Sequence, residues 1–377
     1  MQFMNITDGH EEPIPAAGNR PPQCHVFDAE SIAAIDAALA AQRPLLLRGE
    51  PGIGKSQLAR AAALVLRRAY VQLVVDARTE SSDLMWSYDA VARLAEAQFQ
   101  GALRAAPITS TASARRAPRL AAKDPQRELR ERLAVARYIT PGPLWWAFDW
   151  QGALAQAGLV GVASPLPPDV GVATRQADPE RRCDPKNGCV VLIDEIDKAE
   201  TDVPNGLLEA LGAGRFRPLG SDDDVIATGP APLVVITTNE ERALPDAFLR
   251  RCMVLHMRLP SAKHAAPVLK RRLVQRGSAH LRAMGHTPSG RLLVRAANLM
   301  IEDRLAADQA RRLPLPGQAE YLDLVRAVLR LAGDDAGAQR AVLERIADFA
   351  LKKHPDAVAE QWAGSAPGAA AATRQPS

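Results

Sequence analysis

The chain has 377 residues, of which 47% are hydrophobic, 24% are charged and 4% are aromatic. This length is sufficient for two domains with a sizeable buried core. The formal net charge of +4 is small beside 47 basic and 43 acidic side chains, so the overall charge does not favour nucleic acid or an anionic membrane as a partner.

The cysteines and the N-terminal segment indicate the compartment. Cys24, Cys183, Cys189 and Cys252 show no CxxC spacing and no nearby pair of histidines, which argues against a zinc site and favours unpaired thiols in a reducing environment. The first residues, MQFMNITDGHEEPIP, contain acids and prolines where a signal peptide has a basic start and an apolar run. The longest uncharged span, WQGALAQAGLVGVASPLPP, is interrupted by Gly, Gln, Ser and Pro, unlike a transmembrane helix. We therefore expect a cytoplasmic protein that does not enter a membrane.

The N-terminal part of the chain alternates predicted strands and helices. Residues 1–27 are polar and proline-rich and predict a flexible lead-in. A helix is predicted over 28–42, followed by the short buried strand LLLRG, the helix SQLARAAALVLRRAY and the strand YVQLVVDA. From 77 to 188 the pattern loosens into an insertion, which contains the basic, small-residue loop 111–123.

The alternation of strands and helices resumes at the strand CVVLIDEID. The helix VPNGLLEALGAG and the strand APLVVITTN follow it, which predicts an α/β fold with a doubly wound parallel sheet. After Pro260 four amphipathic helices follow in succession without a strand pattern. The predicted domains are an α/β core over 28–259 and an all-α domain over 260–356. The tail, 357–377, is of low complexity and predicts disorder.

One segment of the core fits the pattern G-x-x-x-x-G-K-[ST] at every specified position. It joins an apolar strand to a helix, and its glycines allow successive backbone N–H groups to face phosphate oxygens. Lys55 is expected to neutralise the β- and γ-phosphates, and the Ser56 hydroxyl is expected to hold Mg²⁺. The start of the helix adds its positive end. The residues predicted to bind the nucleotide are Gly49, Glu50, Pro51, Gly52, Ile53, Gly54, Lys55, Ser56 and Gln57.

Two carboxylates end the strand in VVLIDEID. Asp194 follows four apolar residues and is expected at the carboxyl end of the sheet, where it would complete the Mg²⁺ shell. Glu195, one residue further on, is expected to polarise the attacking water. By itself, DEID at a strand end is an ordinary solvated cluster of charges. The phosphate-loop pattern elsewhere in the chain favours the catalytic interpretation.

A third element, LVVITTNEERALPDAFLRRC, supplies an amide and two arginines. Its strand ends at Asn239, whose side chain is placed to orient water and the γ-phosphate, although Asn at a strand end is also a common turn former. Arg250 and Arg251 follow. An arginine at this place is expected to reach the γ-phosphate bound by a neighbouring copy of the chain. The alternative is a solvated pair of arginines at a helix end.

In this order, the segments GEPGIGKS, VVLIDEID, ITTN and LPDAFLRR, with a helical domain behind them, resemble an AAA+ ATPase of the P-loop NTPase fold. Within that superfamily the chain is most similar to the MoxR-like and dynein-related group, which includes midasin and magnesium chelatase. TESSDLMWSYD, GPLWWAF and PNGLLEAL resemble segments of that group. The resemblance covers roughly residues 28–330.

The resemblance implies a function and a set of partners. It implies ATP as substrate with Mg²⁺, and no guanine-reading N/TKxD motif argues for GTP. The family roles fall on Lys55 and Ser56, on Asp194 and Glu195, on Asn239 as first sensor, and on Arg251 as the finger arginine with Arg250 as the fallback. The family also implies a ring, usually a hexamer of the chain itself, that remodels or matures a partner protein, often one with a von Willebrand A domain.

The chain departs from the family at the lid. MoxR relatives carry a sensor arginine at the start of the last lid helices, where this chain has LPLPGQAEYLD. The aligned position is Glu320, and Arg311 and Arg312 are the nearest basic residues. The sequence therefore leaves open which residue senses the nucleotide from the lid.

Two functional alternatives remain open in the sequence. One is a nucleotide-gated scaffold with slow hydrolysis, against which Glu195 argues. The other is a nucleotide-driven motor of a nucleic-acid restriction system. The loop 111–123 is the basic segment for such a role, but it lacks aromatic residues for stacking on bases, so nucleic acid is not the expected partner. The pair Trp145 and Trp146 is the other candidate contact, either with one ring exposed to a partner or with one ring in the core and the other over a helix.

Overall fold

The structure is a computed structural model, and it describes residues 3–17, 19–105, 125–160 and 183–353. The basic loop 111–123, the tail 357–377 and the part of the insertion from 161 to 182 lie outside the described residues. The chain divides into two compact units. Of the described residues, the first unit takes those within Met1–Asn5, Ala33–Leu47 and Ala62–Leu255, and the second takes those within Ile6–Ile32, Arg48–Ala61 and His256–Ser377.

The described strands are short. They are β1 Glu11–Ile14, β2 Gln23–Val26, β3 Leu45–Arg48, β4 Ala69–Val74, β5 Trp86–Tyr88, β6 Ile139–Pro141, β7 Cys189–Asp194, β8 Arg215–Phe216, β9 Val225–Ile226, β10 Leu233–Thr238 and β11 Met253–His256.

The described helices differ in length, and the two longest lie in the C-terminal part of the chain. They are α1 Ala29–Ala41, α2 Lys55–Val65, α3 Ala90–Ala105, α4 Pro125–Arg132, α5 Pro143–Phe148, α6 Trp150–Leu159, α7 Asp202–Ala213, α8 Asp246–Leu249, α9 Ala266–Ala283, α10 Gly290–Gln309, α11 Gln318–Ala332 and α12 Ala336–Leu351. Within the described part of the chain, no helix is long and apolar enough to cross a membrane.

A five-stranded sheet in the order β11-β3-β10-β7-β4 forms the centre of the α/β core. β7 lies parallel to both of its neighbours, with Val191 opposite Val234 of β10 and opposite Val71 of β4. Because β7 is covered on both faces, the residues Cys189 to Ile193 are all buried, which explains their continuous apolar run. The predicted parallel sheet, with helices and a helical C-terminal region behind it, is confirmed.

The core of the first unit includes the two adjacent tryptophans. Trp145 and Trp146 lie in the short helix α5, not in a strand, and only 7% and 4% of their surfaces are exposed. Trp145 meets Phe216 edge to face at 5.8 Å, and Trp146 meets Trp150 at 5.0 Å between ring centroids. Neither ring is therefore available to a partner in this conformation, which contradicts the interpretation of one exposed tryptophan.

The second unit is built on α9 to α12, whose apolar faces bury a continuous cluster that includes Leu273, Met300, Tyr321 and Leu343. Four amphipathic helices after Pro260 were expected, and the structure has four in the described residues up to 353. Each exposes one polar face, as their periodic sequences require.

Residues 1–27, expected as a flexible lead-in, contain an ordered pair of strands. β1 and β2 are antiparallel, with Glu11 opposite Val26 and Ile14 opposite Gln23. Cys24 and Val26 of β2 are buried against Ala279 of α9. Strands of four residues are marginal alone, so this ordering comes from packing on a helix about 250 residues away in sequence, which local patterns cannot reveal.

A buried histidine in β2 makes stability depend on pH. Burial, with a further contribution from the positive charge of Arg276, lowers the pKa of His25 from 6.5 to about 3, while Asp28 opposes the shift. His25 therefore stays neutral in the folded chain but takes up a proton below pH 6.5 once unfolded. Stability is full above pH 6.5 and falls as pH decreases towards 3.

We expect this histidine to destabilise the wild-type chain by about 2 kcal/mol between pH 7 and pH 5, as its shift implies. Urea unfolding at the two pH values measures it. His25→Gln should reduce the difference between the two pH values, whereas His264→Gln, at an exposed position, should leave it as in the wild type. An unchanged pH dependence in His25→Gln would contradict this assignment.

Candidate functional site

The predicted phosphate loop, residues 49–56, follows β3 and lies in the second unit. Gly49, Gly52 and Gly54 have φ angles of 153°, 76° and 102°, a region that residues with a Cβ rarely adopt. Helix α2 begins at Lys55, so its first N–H groups adjoin the loop. This backbone has the form required for an anion-binding concavity at a helix N-terminus.

Lys55 is directed into the loop itself. Its side chain is largely buried, and Nζ donates hydrogen bonds to the carbonyl oxygens of Gly49 at 2.6 Å and Glu50 at 3.1 Å. This buried ammonium, held by two carbonyl oxygens of the loop, supplies positive charge where an anion is expected. The chemistry of these donors fits a bound nucleotide phosphate.

The loop leaves no space for larger residues at two glycines. A Cβ on Gly49 would lie 2.2 Å from the carbonyl oxygen of Met257, and a Cβ on Gly52 would lie 2.6 Å from Cβ of Ala319. The first turn of α11 therefore covers the loop closely. The same turn brings Gln318, which is buried and bonded to Arg276, within 3.9 Å of the Cβ position of Gly54.

Two polar side chains of the loop region have partners in the second unit. Glu50 receives hydrogen bonds from Arg304 of α10, from one guanidinium nitrogen to both carboxylate oxygens at 2.7 and 2.9 Å. The Gln57 side-chain amide, in the first turn of α2, donates a hydrogen bond to the Gln23 side-chain oxygen at 3.0 Å. Both contacts connect the loop region to its own unit.

The predicted acidic pair lies at the carboxyl end of β7 in the first unit. Asp194 Oδ1 accepts a hydrogen bond of 2.6 Å from the Thr237 hydroxyl, and Oδ2 accepts one of 3.3 Å from the Gln72 amide. The Thr237 hydroxyl also accepts from the backbone N–H of Glu195 at 2.9 Å. Neighbouring strands β4 and β10 thus fix the orientation of Asp194.

Glu195 has a left-handed backbone, with φ 63° and ψ 47°. This conformation is unfavourable for a residue with a Cβ, and such outliers concentrate at functional sites. Its carboxylate accepts from Lys198 Nζ at 2.5 Å and from the Asn239 amide at 3.3 Å. The hydrogen bond and charge of Glu195 raise the pKa of Lys198. Of the predicted site residues, the structure brings Asp194, Glu195 and Asn239 together.

The two arginines after α8 are exposed. The peptide N–H groups of Arg250 and Arg251 donate to the carbonyl oxygens of Asp246 and Phe248, so the chain leaves α8 in a hydrogen-bonded turn. Arg251 therefore lies in the turn that ends a short helix. An exposed position is what a finger arginine acting on a neighbouring copy requires, although exposure does not distinguish Arg251 from Arg250.

The lid residues considered in the sequence have structural roles. The Glu320 carboxylate accepts from the N–H of Gly317 at 3.0 Å and so caps α11. Arg311, two residues after the end of α10, has a left-handed backbone with φ 53°. The arginine that does contact the phosphate loop is Arg304, which sequence reasoning missed. The signal for it was an arginine at the spacing of the buried positions of α10.

Comparison with known proteins agrees with this geometry. Residues 44–116 match the family described as AAA domain (dynein-related subfamily). This segment of the chain is therefore similar to part of an AAA domain. The fold of the chain is that of a P-loop NTPase, with an AAA+ α/β core and a helical C-terminal region. The match includes the phosphate loop and β4 but ends before β7, so Asp194, Glu195 and Asn239 lie beyond the matched residues.

Two further comparisons add little to the family match. No curated protein matches the chain. Among solved structures, the chain is similar to a crystal structure of a Cytophaga hutchinsonii protein described as a "putative ATPase", with 14% sequence identity and a TM-score of 0.33. The similarity covers 88% of this chain and 83% of that chain.

Proposed function

We propose that the chain is a MoxR-like AAA+ ATPase that binds ATP with Mg²⁺ and hydrolyses it. The observation that carries the proposal is the clustering of Asp194, Glu195 and Asn239 at adjacent strand ends, in a chain whose phosphate loop has the required backbone and a buried lysine. A simple binding module does not need a carboxylate held in a strained left-handed conformation.

Each residue has a role that follows from its chemistry. In the proposed mechanism, Lys55 and the loop N–H groups would hold the phosphates, and Ser56 and Asp194 are the residues that would hold the metal. Mg²⁺ would supply charge neutralisation at the phosphate oxygens. Glu195 takes the proton of the attacking water, and Asn239 orients that carboxylate through the hydrogen bond already present.

The base is held on both oxygens in this structure, by Lys198 and by Asn239. An oxygen that already accepts from the Lys198 ammonium has less room to accept a hydrogen bond from the attacking water. Release of Lys198 from Glu195 is therefore expected to accompany turnover. Lys198 is partly exposed and lies three residues along the chain, so this release requires only a rotation of its side chain.

We further propose that copies of the chain form a ring, hexameric by analogy with the family, in which Arg251 completes the site of the next copy. The ring would act in the cytoplasm as a remodelling or maturation machine for another protein, with a von Willebrand A-type protein as one class of client. Support comes from the sequence resemblance and from the exposure of Arg251.

The purified chain should release phosphate from ATP, and removal of Mg²⁺ with EDTA should abolish this release. The metal is required because the phosphate charges need neutralisation by more than the single lysine of the loop. Turnover that persists in EDTA, or its absence in a folded sample with ATP and Mg²⁺, would contradict the proposal.

The client can be found with Glu195→Gln, which is expected to bind ATP without cleaving it. Affinity purification with ATP, compared with the same variant carrying Lys55→Ala, should recover one stoichiometric protein that depends on the bound nucleotide. Recovery of duplex DNA, or phosphate release that duplex DNA stimulates in a salt-sensitive manner, would instead support a nucleic-acid motor.

A further inference from the structure

Arg304 lies on the buried face of α10. It follows Leu293, Ala297 and Met300 at helical spacing, and these three residues are buried in the core of the second unit. Only 8% of the Arg304 side chain is exposed. A guanidinium removed from water to this extent is costly unless its charge and its N–H groups are satisfied.

The hydrogen-bond partners of Arg304 indicate its role. One nitrogen donates to both carboxylate oxygens of Glu50, at 2.7 and 2.9 Å, and the other donates to the Pro316 carbonyl oxygen at 2.7 Å. Glu50 is the second residue of the phosphate loop, and Pro316 directly precedes Gly317, the N-cap of α11. One buried cation thus ties the loop to the segment that enters the covering helix.

The charge of Glu50 creates a problem that this pairing solves. A carboxylate in a loop that receives a triphosphate repels the ligand, because like charges at close range raise the free energy of the complex. The Glu50 side chain is 46% exposed, and without a partner its carboxylate would stand beside the bound phosphates. Arg304 offsets its charge and holds it in one orientation.

We propose that Arg304 is a positioning residue for nucleotide binding, which neutralises Glu50 and fixes the phosphate loop against the start of α11. This inference rests on the proposed ATPase function. It explains why an arginine occupies a buried position where an apolar residue would pack at lower cost. It also adds an ion pair from α10, through the Glu50 carboxylate, to the contact that the first turn of α11 makes with the loop.

Four variants and the wild type test the proposal by equilibrium binding of Mg²⁺–ATP. Arg304→Gln should weaken binding about tenfold, because it leaves Glu50 unpaired, and the loss should shrink at high salt. Glu50→Gln should bind ATP more tightly than the wild type, because it removes the carboxylate charge and leaves the charge of Arg304 unopposed beside the phosphates. The double variant should recover to within about threefold of the wild type. Arg295→Gln is the matched control. It removes the same charge from α10, at an exposed arginine that lies 3.7 Å from Glu344.

A purely structural role for the pair makes different predictions. If the pair only stabilises the fold, Arg304→Gln and Glu50→Gln should weaken ATP binding by similar factors, and the double variant should not recover. Either of these results, obtained with folded protein, would overturn the proposal. Binding of Arg304→Gln equal to the wild type would do the same. If Arg304→Gln does not fold, Glu50→Gln still decides, since a tenfold loss there contradicts charge neutralisation. Failure of the wild type to bind ATP would be a failure of the proposed function instead.

Discussion

Lys55→Ala is expected to weaken ATP binding at least about 100-fold and to abolish hydrolysis. The variant removes the buried ammonium, which in this structure is held at the Gly49 and Glu50 carbonyl oxygens. Without it the loop residues 49–56 offer only uncharged donors to a ligand with several negative charges. Titration with a fluorescent ATP analogue measures binding, and phosphate release measures turnover.

Loss of the loop structure is the alternative cause of such an effect, so two controls accompany the variant. Lys263→Ala removes an equal charge at an exposed position and should bind ATP as the wild type does. Thermal unfolding of Lys55→Ala without nucleotide should remain close to that of the wild type. If folded Lys55→Ala binds ATP within about threefold of the wild type, residues 49–56 are not the phosphate site.

Arg251→Ala and Glu195→Gln should each lose most turnover, on the order of 100-fold or more, while they still bind ATP. The two losses have different locations if the site is shared between copies. Glu195→Gln damages the site of its own chain, whereas Arg251→Ala damages the site of the neighbour. A 1:1 mixture should therefore recover activity, because some interfaces pair an intact Glu195 with an intact Arg251.

With random mixing in a ring, about a quarter of the interfaces are complete, so the recovered rate should approach about a quarter of that of the wild type. Arg242→Ala, an exposed arginine that lies 3.8 Å from Glu200, is the matched control and should retain turnover. Arg250→Ala in the same mixture separates the two adjacent candidates. No recovery under conditions that form mixed rings would argue against the shared site, as would a monomer whose rate per chain is independent of concentration.

Most of the α/β core could be predicted because its signals are local. Continuous apolar runs define β3, β7 and β10, and Gly214 ends α7 in a left-handed conformation. β11 was missed because it is an edge strand of four residues with alternating partial exposure, which leaves a weak pattern. β1 and β2 were missed for a related reason, since their order depends on α9.

The residues of the candidate site could be predicted from the sequence, but the contacts between them could not. Spacing alone located the phosphate loop and the pair Asp194 and Glu195, because backbone turns and strand ends are encoded by adjacent residues. The contacts that orient them could not be predicted. Thr237 reaches Asp194 across 43 positions, and Arg304 reaches Glu50 across 254 positions.

The sequence by itself determined that the chain has a phosphate loop after a buried strand, an acidic strand end and a helical C-terminal region. These features depend on residue type and on the spacing of apolar residues, which recur every two residues in a strand and about every four in a helix, so a short stretch of sequence reveals them. Only the tertiary structure decided that Glu195 accepts hydrogen bonds from Lys198 and Asn239 and that both tryptophans are buried. It also decided that Arg304, on the buried face of α10, pairs with Glu50 of the phosphate loop. Such contacts join residues far apart in sequence, so they are fixed by packing and by the cost of leaving a buried charge unpaired.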